Sequence, residues 1–399
     1  MKNIKICIVG INCSGKSTLL EKLKDLLPHF KVIEGSQALC EIGRIDKQML
    51  KNLDEANKDR LRKEFLANLE STNENVIVSG HYSFLNENAT FEIAMKEDVR
   101  FYDLILFLDS DNEIIHQRMQ NRDNKNISLE SIQKWNDFEL QGLQIECKKR
   151  NVFFSAIDSN ASDVGSFIEL FRTNKTKLDP KEIFEDFMKT HTSSLMQTII
   201  LADCDGTLDN KDAVKEFYKI KAVCDFKVPN AFHNHRFYGF YQFFRLTKKR
   251  LEIPKNTFLQ AVKLAADSMQ PHINLIEILC NSNVSVIAIS AGIRQIWSNV
   301  FARLEVPFHI VANDRESIIT QDCKAYFAKE LTNLGYKVIA LGDGLVDIGM
   351  LESATQPILI ESNKSNKKDL IISQLSKQTR EKLMVCNPNI SIDSIKAVL

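Results

Sequence analysis

Short apolar runs punctuate this chain, each followed by a longer stretch of mixed polarity. In the first part they are IKICIVG (4–10), FKVIEG (30–35), NVIVSG (75–80), LILFLD (104–109) and VFFSAID (152–158), and each closes on Gly or Asp. Runs of this length without alternation predict strands buried on both faces. The amphipathic stretches between them predict covering helices, so the pattern is that of a parallel α/β sheet. Residues 172–197 are polar and lysine-rich, with one amphipathic segment after Pro180, and read as a linker. The pattern then restarts with TIILADCD (198–205), VSVIAIS (284–290), HIVAND (309–314), KVIALGDG (337–344) and PILIES (357–362). The expected fold class is α/β, with two doubly wound parallel-sheet domains at 1–175 and 197–399 joined by 176–196. A mostly helical, aromatic-rich insert, about 209–275, separates the first two strands of the second sheet and reads as a cap.

Composition narrows the class without choosing a function. The 399 residues are 44% hydrophobic and 26% charged, which suits two ordinary globular domains rather than disorder. Lys+Arg and Asp+Glu are balanced at 52 each, so no global charge draws the chain to nucleic acid or an anionic membrane. No apolar run approaches the roughly 18–20 residues of a membrane span. MKNIKICIVG reads as a strand entering a glycine loop rather than as a signal peptide. Nine scattered cysteines with no CxxC read as free thiols of a reducing cytoplasm.

Two stretches carry chemistry. The first, Gly10-Ile-Asn-Cys-Ser14-Gly15-Lys16-Ser17-Thr18, fits GxxxxGK[ST] between a strand and a helix. Its amides and helix N-terminus suit phosphate, Lys16 would reach the β- and γ-phosphates of ATP or GTP, and the Ser17 hydroxyl would ligate Mg²⁺. With the strand end VIVSGHYSF and the segment LILFLDSDNEIIHQRMQNRDNKN, residues 1–175 resemble adenylate-kinase-like P-loop kinases. The resemblance implies a lid whose Arg118 and Arg122 clamp the transferring phosphoryl group. Such kinases usually end the third strand with an acid that helps hold Mg²⁺, and here Ser79 stands there. That leaves Ser17 and nucleotide to hold the ion, Asp109 to contribute, or catalysis weakened. Glu34 ends the second strand, where a carboxylate can act as base, and a structural role is the alternative.

The second stretch is Asp203-Cys-Asp205-Gly-Thr at the tip of a strand. Ser290 ends another strand, Lys324 lies in TQDCKAYFAKEL, and Asp343 and Asp347 lie in GDGLVD. In this order the four pieces resemble the motifs of the haloacid dehalogenase superfamily. The resemblance makes Asp203 the nucleophile, Asp205 the acid and base, and Lys324 and Ser290 the phosphate partners. Mg²⁺ would be held by Asp203, the Asp205 carbonyl and Asp343, with Asp347 supporting the shell. The long insert after the first motif, and the short span from Ser290 to Lys324, resemble the phosphoserine-phosphatase-like branch, whose cap closes over a small substrate. Val346 departs from the Asn usual there. Within the cap, FHNHRFYGFYQFFRLTKKR (232–250) interleaves basic and aromatic residues. It reads as a base-stacking surface or, preferably, as a helix whose aromatics pack the cap.

Three functions are compatible with these motifs. The first is a bifunctional kinase and phosphatase acting on small phosphorylated metabolites or nucleotides. The second is a nucleic-acid end-healing kinase/phosphatase, which the neutral charge and the helical cap disfavour. The third is a phosphatase regulated by a nucleotide-sensing P-loop domain.

Overall fold

The computed structural model describes residues 3–86, 90–95, 97–123, 127–229, 231–232, 238–314, 317–361, 367–387 and 395. The chain divides into two compact units, Met1–Thr173 and Asn174–Leu399.

The first unit holds β1 (Lys5–Val9), β2 (Phe30–Glu34), β3 (Asn75–Gly80), the hairpin β4 (Ser83–Leu85) and β5 (Phe91–Ile93), β6 (Leu104–Leu108) and β7 (Phe153–Ile157). Its five-stranded sheet has the order β2-β3-β1-β6-β7 and is parallel throughout. β1 is central, and Ile6, Cys7, Ile8 and Val9 are wholly buried. That burial explains the unbroken apolar run, since a strand covered on both faces has no solvent face to make polar. The chain leaves β1 toward β2 and β3 on one side and β6 and β7 on the other. Its C-terminal tip is therefore the switch point where doubly wound sheets place ligands.

The second unit holds β8 (Thr198–Ala202), β9 (Ser285–Ile293), β10 (His309–Asn313), β11 (Lys337–Gly342), β12 (Gln356–Ile360) and β13 (Met384–Cys386). These make a second parallel sheet, β10-β9-β8-β11-β12-β13, with β8 at its switch point. The expected strands are present in both sheets. The hairpin β4–β5 and strand β13 were not foreseen, because three-residue strands are too short to show a period.

One expectation about organisation changes. Within the expected linker, Pro180–His191 is a helix capped by the Asp179 side chain, which accepts from the Lys181 amide at 3.0 Å. Phe184 and Phe187 of this helix are buried with Leu201, Ile289 and Phe327 in the second unit's core. Their rings meet Phe327 edge-on at 5.1 and 5.5 Å. The helix is thus part of the second unit and not a connector. The expected cap packs directly onto the sheet. Phe217, Phe258, Ala261 and Ala265 from its helices share one core with Ile200 and Trp297. The helix Lys255–Ser268 packs on the helix Arg294–Leu304.

Candidate active sites

In the second unit β8 carries the chain to its C-terminal tip, where the Asp203 amide donates to Leu341 O at 2.9 Å, extending the β8–β11 ladder by one bond. The buried Lys324, from the helix Gln321–Asn333, reaches both Asp203 Oδ1 at 2.6 Å and Asp347 Oδ1 at 2.7 Å. Asp347 Oδ2 in turn accepts the amides of Asp343 at 3.2 Å and Gly344 at 2.9 Å. Asp205 Oδ1 accepts from the Ala213 amide at 2.9 Å and from Trp297 Nε1 at 3.1 Å. Ser290 Oγ accepts the Gly292 amide at 2.9 Å. A side chain on Gly292 would meet Asp205 Oδ2 at 2.6 Å and Ser290 Oγ at 3.1 Å, so these two oxygens face one small space. Five sequence-derived residues, Asp203, Asp205, Ser290, Lys324 and Asp343, thus lie with Asp347 at one sheet edge.

Electrostatics at this edge are one-sided. Burial, opposed by Lys324 and reinforced by Asp347, pushes Asp203 up to about 7. Burial, with Asp203 and Asp347 beside it, pushes Asp343 up to about 8. Burial, then Asp212 and Asp203, raises Asp205 far above the carboxylate range. Burial would lower Lys324, yet Asp203 and Asp347 outweigh it and hold the lysine charged. The buried Lys324 cation thus faces a site crowded with carboxyl groups. Carboxyl oxygens of Asp203, Asp343 and Asp347 lie within 4.8 Å of one another, a donor set of the hard-oxygen kind that Mg²⁺ takes. Gly206 leaves room for it. Its φ is +89°, and a Cβ there would stand 2.2 Å from Asp343 Oδ2. Lys324 and two amides occupy the oxygens of Asp347, which fits the supporting role expected of it better than a ligand's.

Sequence reasoning missed Trp297, which orients Asp205, and Thr207, whose buried Oγ1 donates to Asp343 Oδ1 at 3.3 Å. It also missed Asn313, which donates to Ala291 O at 2.7 Å and accepts from the Ile319 amide, tying the end of β9 to the segment after β10. Thr207 stands inside the first motif, so its position was a signal. Trp297 and Asn313 carried none.

In the cap, Phe240, Tyr241, Phe243 and Phe244 are buried. The helix Phe240–Leu251 therefore packs its aromatics rather than displaying them. Arg250 is buried with them, and its Nε has no hydrogen-bond partner among the described residues. His233, His235, Arg236 and Phe237 lie outside the described residues.

The first unit places the glycine loop between β1 and the helix Lys16–Leu26. Gly15 at φ +100° and Cys13 at φ +64° turn the loop around itself. Lys16 Nζ donates to the carbonyls of Gly10 at 2.6 Å and Ile11 at 3.0 Å. Ser14 is buried, whereas Ser17 and Thr18 are exposed in the first helical turn. Arg118 Nη1 donates to Cys13 O at 3.1 Å, which brings this lid-position arginine onto the loop. Arg122 falls in the last turn of the same helix, and its side chain lies outside the described residues. Ser79, in register with Glu34 and Ile8, is buried. Glu34 is half-exposed and is met by Lys47 at 3.3 Å and Ser36 at 3.2 Å.

Fold and constellation together resemble a P-loop kinase-like domain followed by a haloacid-dehalogenase-like domain with a helical cap. Residues 9–136 match a family model described as AAA domain. No curated protein matches the sequence. Among solved structures, a phosphoserine phosphatase in apo form is 17% identical, with a TM-score of 0.36, covering 51% of this chain and 100% of its own. A shikimate kinase from Acinetobacter baumannii in complex with shikimate is 17% identical at TM-score 0.32, covering 43% and 94%. A cytosolic 5′-nucleotidase IIIB bound to cytidine is 13% identical at 0.34, covering 54% and 89%. These likenesses are distant, and the chemistry of each half rests on its own residues.

Proposed function

We propose that the chain is a bifunctional phosphotransfer enzyme, a Mg²⁺-dependent phosphomonoester hydrolase joined to an ATP-binding kinase domain, acting on small phosphorylated metabolites or nucleotides. The observation that carries the hydrolase is Lys324 bridging Asp203 and Asp347 beside Asp343 and Asp205. Asp203 attacks phosphorus, a P–O bond to the carboxylate forms, and the bond to the leaving oxygen breaks. Asp205, its carboxyl raised by burial, gives that oxygen a proton. Asp205 then takes a proton from water, which attacks phosphorus and frees Asp203 and inorganic phosphate. Lys324 offsets charge on the nucleophile, and Ser290 donates to a phosphoryl oxygen. Asp203, Asp343 and the Asp205 carbonyl would hold Mg²⁺, which would supply the positive charge that two carboxylates and a dianion need.

The kinase half rests on Lys16, Ser17 and Arg118 at the loop. Ser79 in the acid's place favours a second reading, in which the P-loop senses nucleotide and tunes the phosphatase. One experiment separates them: transfer from labelled ATP to nucleosides, nucleotides and 5′-hydroxyl oligonucleotides, beside phosphatase rate against ATP concentration. Transfer without an ATP effect on hydrolysis supports the bifunctional enzyme. An ATP effect without transfer supports the sensor, and transfer confined to oligonucleotides supports end healing.

A further inference from the structure

The first unit buries polar atoms that no group among the described residues satisfies. Asn136 and Glu139 are both wholly buried, and Asn136 Oδ1 and Glu139 Oε2 have no hydrogen-bond partner there. His81 is half-buried, and its Nδ1 likewise has no hydrogen-bond partner among the described residues. A folded chain normally satisfies such atoms because leaving them bare is costly, so a cluster of them calls for an explanation.

Their placement supplies one. Asn136 and Glu139 stand one turn apart on the helix Leu129–Arg150. Asn136 Nδ2 reaches Asn112 Oδ1 at 3.0 Å and Asp109 Oδ1 at 3.4 Å, past the end of β6. Glu139 Oε1 accepts from Ser83 N at 2.8 Å and Ser83 Oγ at 3.1 Å, past the end of β3. In the sheet β1 lies between β3 and β6, so this helix crosses the strand ends that flank the glycine loop. The charge of Lys16 is felt by both Glu139 and His81.

We propose that Asn136, Glu139 and His81 form a recognition wall beside the P-loop that binds hydroxyl groups of a neutral, polyhydroxylated phosphoryl acceptor. This deepens, and rests on, the kinase reading above. The atoms decide the chemistry. Asn136 Oδ1 only accepts. His81 is held neutral by burial and then by Lys16, so its Nδ1 can accept. An anionic group would meet acceptor atoms and a carboxyl, and an ammonium would meet Lys16. A metal ion lacks a donor set here: among the described residues only Asp203, Asp343 and Asp347 gather three ligating side chains. A hydroxyl both donates and accepts, and suits Glu139 whether its carboxyl is ionised or not. Glu139 is a positioning residue as well, since it and Trp135, through Nε1 to Ser83 Oγ at 3.0 Å, pin the turn that carries His81.

The test uses the full chain and two near-isosteric variants, Asn136→Leu and Glu139→Gln. Labelled ATP is offered with pentoses, hexoses, cyclitols and nucleosides, each beside its deoxy analogue. Calorimetry with a non-hydrolysable ATP analogue and thermal melting run in parallel. In the wild type, removing the recognised hydroxyl should lower kcat/KM by roughly ten- to a hundredfold, and both variants should lose that discrimination. Melting temperature should fall somewhat, because Asn136→Leu loses the bonds to Asn112 and Asp109 and Glu139→Gln weakens those to Ser83, while analogue affinity should stay within about threefold, because Lys16 and the loop amides are left in place. Variants that bind the analogue more weakly, with discrimination intact, would overturn the proposal. If the wild type phosphorylates nothing, the kinase reading fails and melting with the same panel decides the wall. A saturable rise that both variants lack keeps it, and no rise overturns it.

Discussion

At the scale of single residues, the second unit turns on one lysine among acids. Lys324→Met would leave Asp203 and Asp347 buried without their cation, and breaking a buried pair from one side costs about 3–5 kcal/mol. The expected outcome is a lower urea midpoint and no phosphatase turnover. Asp205→Asn should fail on alkyl phosphates yet keep part of its rate on an activated aryl phosphate, whose leaving group needs no proton. Equal losses on both would remove Asp205 from the acid role. Gly206→Ala should both strain the turn and push Asp343 aside, because its Cβ would overlap that carboxylate. Calorimetry should show weakened Mg²⁺ binding. Asp203, Asp205, Ser290, Lys324 and Asp343 were legible because their motifs are local in sequence. Trp297 was not, since only the packing of the helix Arg294–Leu304 brings its indole to Asp205.

At the scale of elements, the helix Pro180–His191 is the clearest case of a sequence signal misread. Its Pro180 start and amphipathic pattern were visible, but nothing local said which surface its apolar side would meet. The structure sets Phe184 and Phe187 against Phe327. Phe184→Ala should therefore lower the denaturant midpoint of the second unit by the equivalent of about 3–5 kcal/mol, the usual cost of emptying a buried phenylalanine site. Chemical unfolding followed by a probe in each unit checks this, and the first unit's transition should not move. The glycine loop behaves in the opposite way. Strand, loop and helix are contiguous, so Gly10 to Thr18 announced their own structure.

At the scale of the molecule, the division at Thr173 and Asn174 sets where the chain can be cut. Residues 1–173 and 179–399 should each fold alone and melt cooperatively. Residues 195–399, which a linker reading would choose, should melt at a lower temperature, because they lose the docked helix and uncover Phe327. Calorimetric scans of the three fragments decide it. Lys16→Ala should weaken ATP binding in the intact chain and leave phosphatase turnover on a small substrate nearly unchanged, since the two chemistries use separate sheets. A phosphatase rate that tracks ATP in the wild type and not in the variant would shift the assignment to the sensor.

By itself the sequence determined both sheets' principal strands, the glycine loop and the order of the four acidic, hydroxyl and lysine motifs. These rest on periodicity and on residues a few positions apart, which a linear reading can see. The tertiary structure alone decided that Lys324 bridges Asp203 to Asp347 and that the cap shares the sheet's core. It also decided that Asn136 and Glu139 lie across the ends of β6 and β3. Each of these depends on register, helix crossing and burial between segments far apart in the chain. Apolar pattern tells a helix to bury a face without saying against what, and a buried acid declares its role only once its partners are in place.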